Sequence, residues 1–250
     1  MAAHVETQPP AFRLLNENGA SPFVLVCEHA SRFMPEHYAG LGLDEGDLKR
    51  HIAWDIGAEN VAMQLCRDID APLILANYSR LLIDLNRPPT SKRSIPEISE
   101  MTVIPGNRNL AGQERQTRIE RYFGPFQARL SQLLDARQAT ARPTTILAVH
   151  SFTPVFKGVS RPWHAGILFR RSATFGRALV AALGGETAHI AENQPYQIED
   201  DSDYTVPVHG EARGLDAVLI ELRQDLIASE QGAADWAGRL GAALAHLQPA

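Results

Sequence analysis

The sequence predicts a three-layer α/β fold, with helices packed on both faces of a central sheet, on two observations. Short apolar runs of strand length alternate along the chain with segments whose apolar residues recur every three or four positions. Three of the runs also carry ionisable residues: Phe23–Cys27 leads into Glu28 and His29, Thr145–Val149 leads into His150, and Val218–Arg223 contains Glu221. In open α/β sheets the strand ends that face the crevice are where sites are built, so strands tipped in this way predict one shared crevice.

Residues 1–22 hold Pro9, Pro10, Asn16, Gly19 and Pro22 and are expected to form a lead-in to a single α/β domain over 23–250. Phe23–Cys27 is the first buried strand, followed by a loop to Pro35. A helix is expected to start near Asp44, with Leu48, Ile52, Ala53 and Ile56 at helical spacing, and the pattern resumes through Val61, Leu65 and Ile69 until Pro72 ends it. Leu73–Leu75 reads as a short strand. Tyr78–Leu85 reads as a second strand, or a strand and turn, closed by Pro88 and Pro89. Residues 90–110 hold Pro96, Pro105, Gly106, Asn107 and Asn109 without a steady period, and long irregular loops of this kind are often functional. Ile119, Phe123, Phe126, Leu130 and Leu133 mark a helix over 113–138, which Gly124-Pro125 is expected to kink or interrupt. The His150 strand follows, broken by Ser151, Thr153 and Pro154. A strand near 165–169, a helix near 174–183, a loop-rich stretch over 192–214, the Glu221 strand and an amphipathic helix over 229–247 complete the chain.

Composition narrows the function classes. A chain of 250 residues, 44% hydrophobic and 21% charged, is ordinary for one sizeable globular domain. A formal net charge of −5 and a pI near 6.0 give no reason to expect nucleic acid as a partner. Cys27 and Cys66 are the only cysteines, too few for a disulfide framework or a Cys-based structural zinc site. No apolar run approaches the ~20 residues of a membrane span. The polar first residues lack the basic start and apolar core of a signal peptide, so the expectation is a soluble cytoplasmic protein.

A catalytic zinc typically takes three protein ligands and leaves a fourth position for water. His29 and His150 supply two, and the third must be an acid or another histidine. Glu28 adjoins His29 but points to the opposite side if the strand pleat persists. Asp55, expected on an apolar helix face, is costly there unless paired or metal-bound. The alternative is that both histidines are satisfied core residues. Arg80, Asp84 and Asn86 share parity and therefore one face if their segment is extended, with Arg87 at the turn before Pro88. Guanidinium groups bind carboxylates through two parallel hydrogen bonds, which suggests capture of a carboxylate-bearing substrate; an internal Arg80–Asp84 salt bridge is the structural alternative. Glu221, between Ile220 and Leu222, is desolvated, which raises its pKa and suits it to carry protons near neutrality; pairing with Arg223 is the alternative. Tyr204, His209, Arg213 and Asn193 come from the late loop and could orient substrate. His51, His164 and His189 read as structural or surface residues, and no Gly-x-Ser-x-Gly elbow is present.

These residues fall into a pattern that resembles the N-formylglutamate amidohydrolases: Cys27-Glu-His-Ala-Ser31, Trp54-Asp-Ile-Gly57, Ser79 to Arg87, His150-Ser151, Asn193-Gln-Pro-Tyr196, Tyr204 to His209, Arg213-Gly-Leu215 and Ile220 to Ile227, in that order from about residue 22 to 228. The resemblance implies a mixed sheet flanked by helices, similar to that of zinc carboxypeptidases and aspartoacylase-like deacylases. It implies His29 and His150 as zinc ligands, Asn86 and Arg87 as carboxylate binders, and Glu221 as general base. Those relatives place a ligand Glu three residues after the first His, where this chain has Arg32, so Asp55 is favoured as third ligand over Glu28. The implied activity is hydrolysis of N-formyl-L-glutamate to formate and glutamate, with Zn2+ as cofactor, Arg80 assisting Arg87, and a small N-acyl amino acid as partner. A deacylase of another N-acyl amino acid and a metal-free acidic-amino-acid-binding protein are the alternatives.

Overall fold

A computed structural model describes residues 8–247, so the first seven residues of the expected lead-in lie outside the described residues. The strands are β1 (Phe12–Leu15), β2 (Phe23–Cys27), β3 (Leu73–Ala76), β4 (Ile98–Ser99), β5 (Thr102–Val103), β6 (Thr145–Phe152), β7 (Val155–Phe156), β8 (Val159–Ser160), β9 (Ala165–Leu168), β10 (Ile190–Glu192) and β11 (Asp216–Arg223). The α-helices are α1 (Glu45–Leu48), α2 (Ala58–Asp68), α3 (Gly112–Arg118), α4 (Gly124–Ala139), α5 (Ala173–Ala182) and α6 (Glu230–Leu244). Seven strands form one mixed sheet in the order β1-β3-β2-β6-β11-β9-β10. The four central strands are parallel, while β1 runs antiparallel to β3 and β9 antiparallel to β11.

The two-residue period of the strands divides the core in two. Leu25, Cys27, Leu147, Val149, Val218 and Ile220 face one layer, which α2, α5 and α6 cover with Val61, Leu65, Phe175, Leu179, Trp236 and Leu240. Val24, Val26, Ile146, Ala148, Ala217 and Leu219 face the other, where α4 supplies Phe126, Leu130, Leu133 and Leu134. Near-continuous apolar strands are what a sheet covered on both faces requires. The alternation also sets the site: continuing the second face by two residues reaches Glu28, His150 and Glu221.

Several elements differ from their sequence expectations. Part of the lead-in is β1, an edge strand in register with β3, Phe12 opposite Ala76. β6 continues through Phe152, past Ser151, and ends where Thr153 and Pro154 are expected to stop it. The helix from 113 to 138 is not broken at Pro125. It passes from α3 through a wider π turn over Ile119–Phe123 into α4, so the Gly124 N–H reaches back to the Ile119 carbonyl just before the proline that has no N–H to give. Tyr78–Leu85 is not a strand but a series of turns: Leu82 N–H donates to the Ser79 carbonyl at 3.0 Å and Asp84 N–H to that of Ser94 at 2.7 Å. Its apolar Leu81, Leu82 and Ile83 are buried all the same, in the second core layer. Asp55 is not on a helix face. It precedes α2 in a turn that needs Gly57 at φ +81°, where a Cβ would come within 2.2 Å of the Ile227 carbonyl oxygen.

Candidate metal centre and active site

β2, β6 and β11 end at one edge of the sheet, and three loops close over it. The Glu28–Pro35 loop, the turn before α2 and the turns of 77–87 are tied together by backbone. Asp55 N–H donates to the His29 carbonyl at 2.9 Å, Ser79 N–H to that of Phe33 at 2.9 Å, and the Ser79 hydroxyl to that of Ala53 at 2.8 Å. These bonds join His29 to Asp55, and Ser151 N–H of β6 donates to Asp55 Oδ2 at 3.2 Å, so His29, Asp55 and His150 meet, all three buried.

Three atoms form a near-equilateral triangle: His29 Nδ1 and His150 Nδ1 are 3.1 Å apart, and Asp55 Oδ2 lies 3.3 and 2.9 Å from them. Donor atoms ~2.0–2.1 Å from a tetrahedral zinc stand about 3.3 Å from one another, so this donor set fits such an ion. Each ring's remaining nitrogen faces a carboxylate. Asp84 Oδ1 lies 2.7 Å from His29 Nε2, and Glu28 Oε2 lies 3.1 Å from His150 Nε2, an ion-pair contact whose angles fall short of a hydrogen bond. Metal-binding histidines characteristically turn their second nitrogen to such a partner, which fixes the tautomer and leaves the other nitrogen's lone pair free. Glu28 therefore does point away from His29, as the pleat requires, and it backs His150 instead. Its other oxygen accepts from the Thr205 hydroxyl.

The buried carboxylates Asp55 and Asp84 are held low by their neighbours. Burial opposes the charge of Asp55, yet His29 and His150 outweigh it and keep its carboxyl well below the usual range. Asp84 is likewise held down against its burial by Arg80 and His29. Glu221 behaves oppositely: burial, with the Asp55 charge added, pushes its carboxyl up to about 7. It stands directly beside His150 in the β11–β6 register, and its Oε2 has no hydrogen-bond partner among the described residues. Arg223 does not pair with it but bonds Asp225 and the Pro162 carbonyl.

A cavity of about 490 Å³ opens onto the triangle and Glu221, and Arg80, Asn86, Arg87 and Tyr196 line it. Arg80 is already engaged: Nη2 donates to Asp84 Oδ2 at 2.6 Å, Nε to the same oxygen at 3.1 Å, and Nη1 to Asp55 Oδ1 at 3.2 Å. Arg87 is looser, 3.9 Å from Asp84 and 3.7 Å from Asp203. Asn86 Oδ1 accepts from the N–H groups of Tyr204 and Thr205, both at 3.0 Å. The residues expected from the late loop are not brought to the cavity. The π turn of 205–210 swings His209 to Gln127 Oε1 of α4 at 2.7 Å, Arg213 pairs with Asp135, and the Tyr204 ring packs edge-on against Phe123. His51, expected to be structural, lines the cavity. Burial holds its imidazole toward the neutral form, and Nε2 lies 3.6 Å from Glu100 Oε2.

Known proteins resemble the chain over most of its length. A sequence model described as N-formylglutamate amidohydrolase matches residues 21–228. A gene product of Agrobacterium tumefaciens of known structure is 38% identical, with 95% of this chain and 96% of that one covered and a TM-score of 0.90. The N-formylglutamate amidohydrolase of Ralstonia eutropha JMP134 is 20% identical over 95% of this chain and 97% of its own, with a TM-score of 0.70, a likeness of fold. No curated protein matches the chain significantly.

Proposed function

The chain belongs to the N-formylglutamate amidohydrolase family, and from that premise we propose that it is a metal-dependent amidohydrolase that cleaves N-formyl-L-glutamate to formate and L-glutamate. The observation that carries the reading is the convergence of His29 Nδ1, Asp55 Oδ2 and His150 Nδ1 beside an uncommitted Glu221.

His29, Asp55 and His150 would hold the ion, and their N/O donor set suits Zn2+, which when bound polarises a carbonyl oxygen and lowers the pKa of water toward ~7. Asp84 and Glu28 keep the two imidazoles in the donor orientation. Glu221 accepts a proton from the attacking water and passes it to the departing amide nitrogen. A carboxylate whose ordinary pKa has been raised toward neutrality is suited to both transfers. Arg87, with its loose internal contacts, is the group left to take the substrate carboxylate, and Asn86 beside it, its Oδ1 held by Tyr204 and Thr205 and its Nδ2 donating to Asp203 at 3.3 Å, has one amide hydrogen to add. Holding the substrate there makes attack effectively unimolecular. Arg80 is assigned a supporting role, since its guanidinium is divided between Asp55 and Asp84. The partner is a small molecule, and two free buried thiols suit a reducing cytoplasmic setting. No helix of the described residues is long and apolar enough to cross a membrane.

The test is a hydrolysis panel of N-formyl, N-acetyl and N-succinyl amino acids with the zinc-loaded protein, following formate and free amine. N-formyl-L-glutamate is expected to turn over fastest. Absence of formate from every N-formyl amino acid overturns the reading.

A further inference from the structure

Arg161 is 8% exposed, yet among the described residues no carboxylate pairs with it. A buried guanidinium normally finds an anion or several carbonyls. Arg118 has Glu114, and Arg137 has the Ser21 and Pro143 carbonyls. Arg161 instead sits among three aromatic rings, 4.6 Å from the centre of Phe156, 4.8 Å from Tyr196 and 5.9 Å from Phe152. Its Nη1 donates to the Tyr196 hydroxyl at 2.9 Å.

That one bond has a direction. Arginine only donates, so the phenol oxygen must accept, and its own proton is left for another acceptor. Tyr196 lines the same cavity as Glu221 and is 40% exposed. The loop that carries it is fixed at its base. The Gln194 carbonyl rests on Gly166, where a Cβ would stand 1.5 Å from the oxygen, and Gly166 is the strand partner of Glu221. Asn193 Oδ1 accepts from Phe169 N–H at 2.9 Å.

We infer that Arg161 is a positioning residue of the amidohydrolase reaction, holding the Tyr196 phenol so that its proton is donated to the substrate's acyl oxygen as negative charge develops there. Arg161 touches no substrate and acts through the phenol. A donor in place before charge develops is worth most in a site shielded from water. The inference rests on the amidohydrolase reading for the identity of the acceptor.

The test is a double-mutant cycle in the zinc-loaded full chain with N-formyl-L-glutamate, reading kcat and KM separately and metal content by elemental analysis. Tyr196→Phe is expected to lower kcat roughly 10²-fold, the scale for loss of one such donor, with KM nearly unchanged. Arg161→Met is expected to lower kcat at least about tenfold, and the double variant to be no slower than Tyr196→Phe alone. Losses that multiply, or a wild-type kcat in Tyr196→Phe, overturn it. Ultraviolet titration needs no turnover. The Tyr196 signal is isolated by subtracting the titration of the same protein carrying Tyr196→Phe. It is expected at higher pH in Arg161→Met because a neighbouring cation is gone. An unmoved titration overturns the contact. A wild-type protein that releases no formate instead defeats the amidohydrolase reading, and the titration still decides whether Arg161 governs Tyr196.

Discussion

Asp84→Asn perturbs the site without replacing a proposed ligand. Asp84 is 3% exposed and serves three groups: Oδ1 faces His29 Nε2 at 2.7 Å and accepts Asn86 N–H at 2.9 Å, while Oδ2 takes both Arg80 donors. An asparagine has one carbonyl oxygen, so it can keep His29 or Arg80 satisfied but not both. Loss of the group behind a ligating imidazole typically lowers metal affinity 10- to 100-fold, about 1.4–2.7 kcal/mol. The stability cost is smaller than that of a fully buried ion pair, because the Arg80 side chain is 23% exposed and retains Asp55 at 3.2 Å. About 1–2 kcal/mol is expected from the weakened charge-assisted bonds, a few degrees in Tm for a chain of this size. Zinc competition against a chromophoric chelator, with thermal unfolding measured alongside, separates the two effects. A folded Asp84→Asn protein that binds zinc as tightly as wild type refutes the assignment of Asp84 to His29.

Glu221→Gln is expected to lower kcat by about 10²–10⁴ while elemental analysis finds the same metal content, since the side chain carries protons and ligates nothing; a metal-depleted variant would make Glu221 a ligand instead. The pH profile follows from the same carboxyl. Glu221 must be ionised to accept a proton, burial pushes it up to about 7, and a bound cation favours its charged form. The acid limb of kcat/KM should therefore lie above the ordinary glutamate value of ~4.3 and no higher than about 7, with activity rising with pH. A limb at ordinary glutamate values contradicts a desolvated base. Gly166→Ala forces a methyl group against the Gln194 carbonyl, with a stability cost of about 1–3 kcal/mol as the Tyr196 loop shifts. Unchanged melting and unchanged turnover in that variant would mean the loop is not packed as described.

The sheet was legible because a strand buried on both faces must be apolar along its length, and an ionisable residue at its end then stands out. His29, His150 and Glu221 stand out in that way, and Asp55 stands out as a carboxylate among apolar neighbours, although it sits in a turn rather than on the expected helix face. What surrounds them was not legible. Asp84 backs His29 and Glu28 backs His150 through contacts across 55 and 122 positions of sequence, and no local pattern records such pairings. The 78–85 turns resemble a strand in sequence because buried Leu81, Leu82 and Ile83 are as apolar as one. What bends them is hydrogen bonding to Ser79 and Ser94, which hydrophobic patterning does not register. The late loop offers Tyr204, His209 and Arg213 as a polar cluster, but the structure turns His209 and Arg213 to Gln127 and Asp135 of α4, far off in sequence, and packs Tyr204 against Phe123. His51 gave no signal beyond its residue type, and the loops that enclose the cavity bring it there.

Amide hydrolysis is expected to depend on a metal held by the His29–Asp55–His150 triangle. The direct test is formate release from N-formyl-L-glutamate by protein stripped with chelator and certified metal-free by elemental analysis, before and after one equivalent of Zn2+. The stripped protein is expected to show no turnover and to regain it with the ion; full turnover in the certified metal-free protein would rule out a metal-dependent hydrolysis.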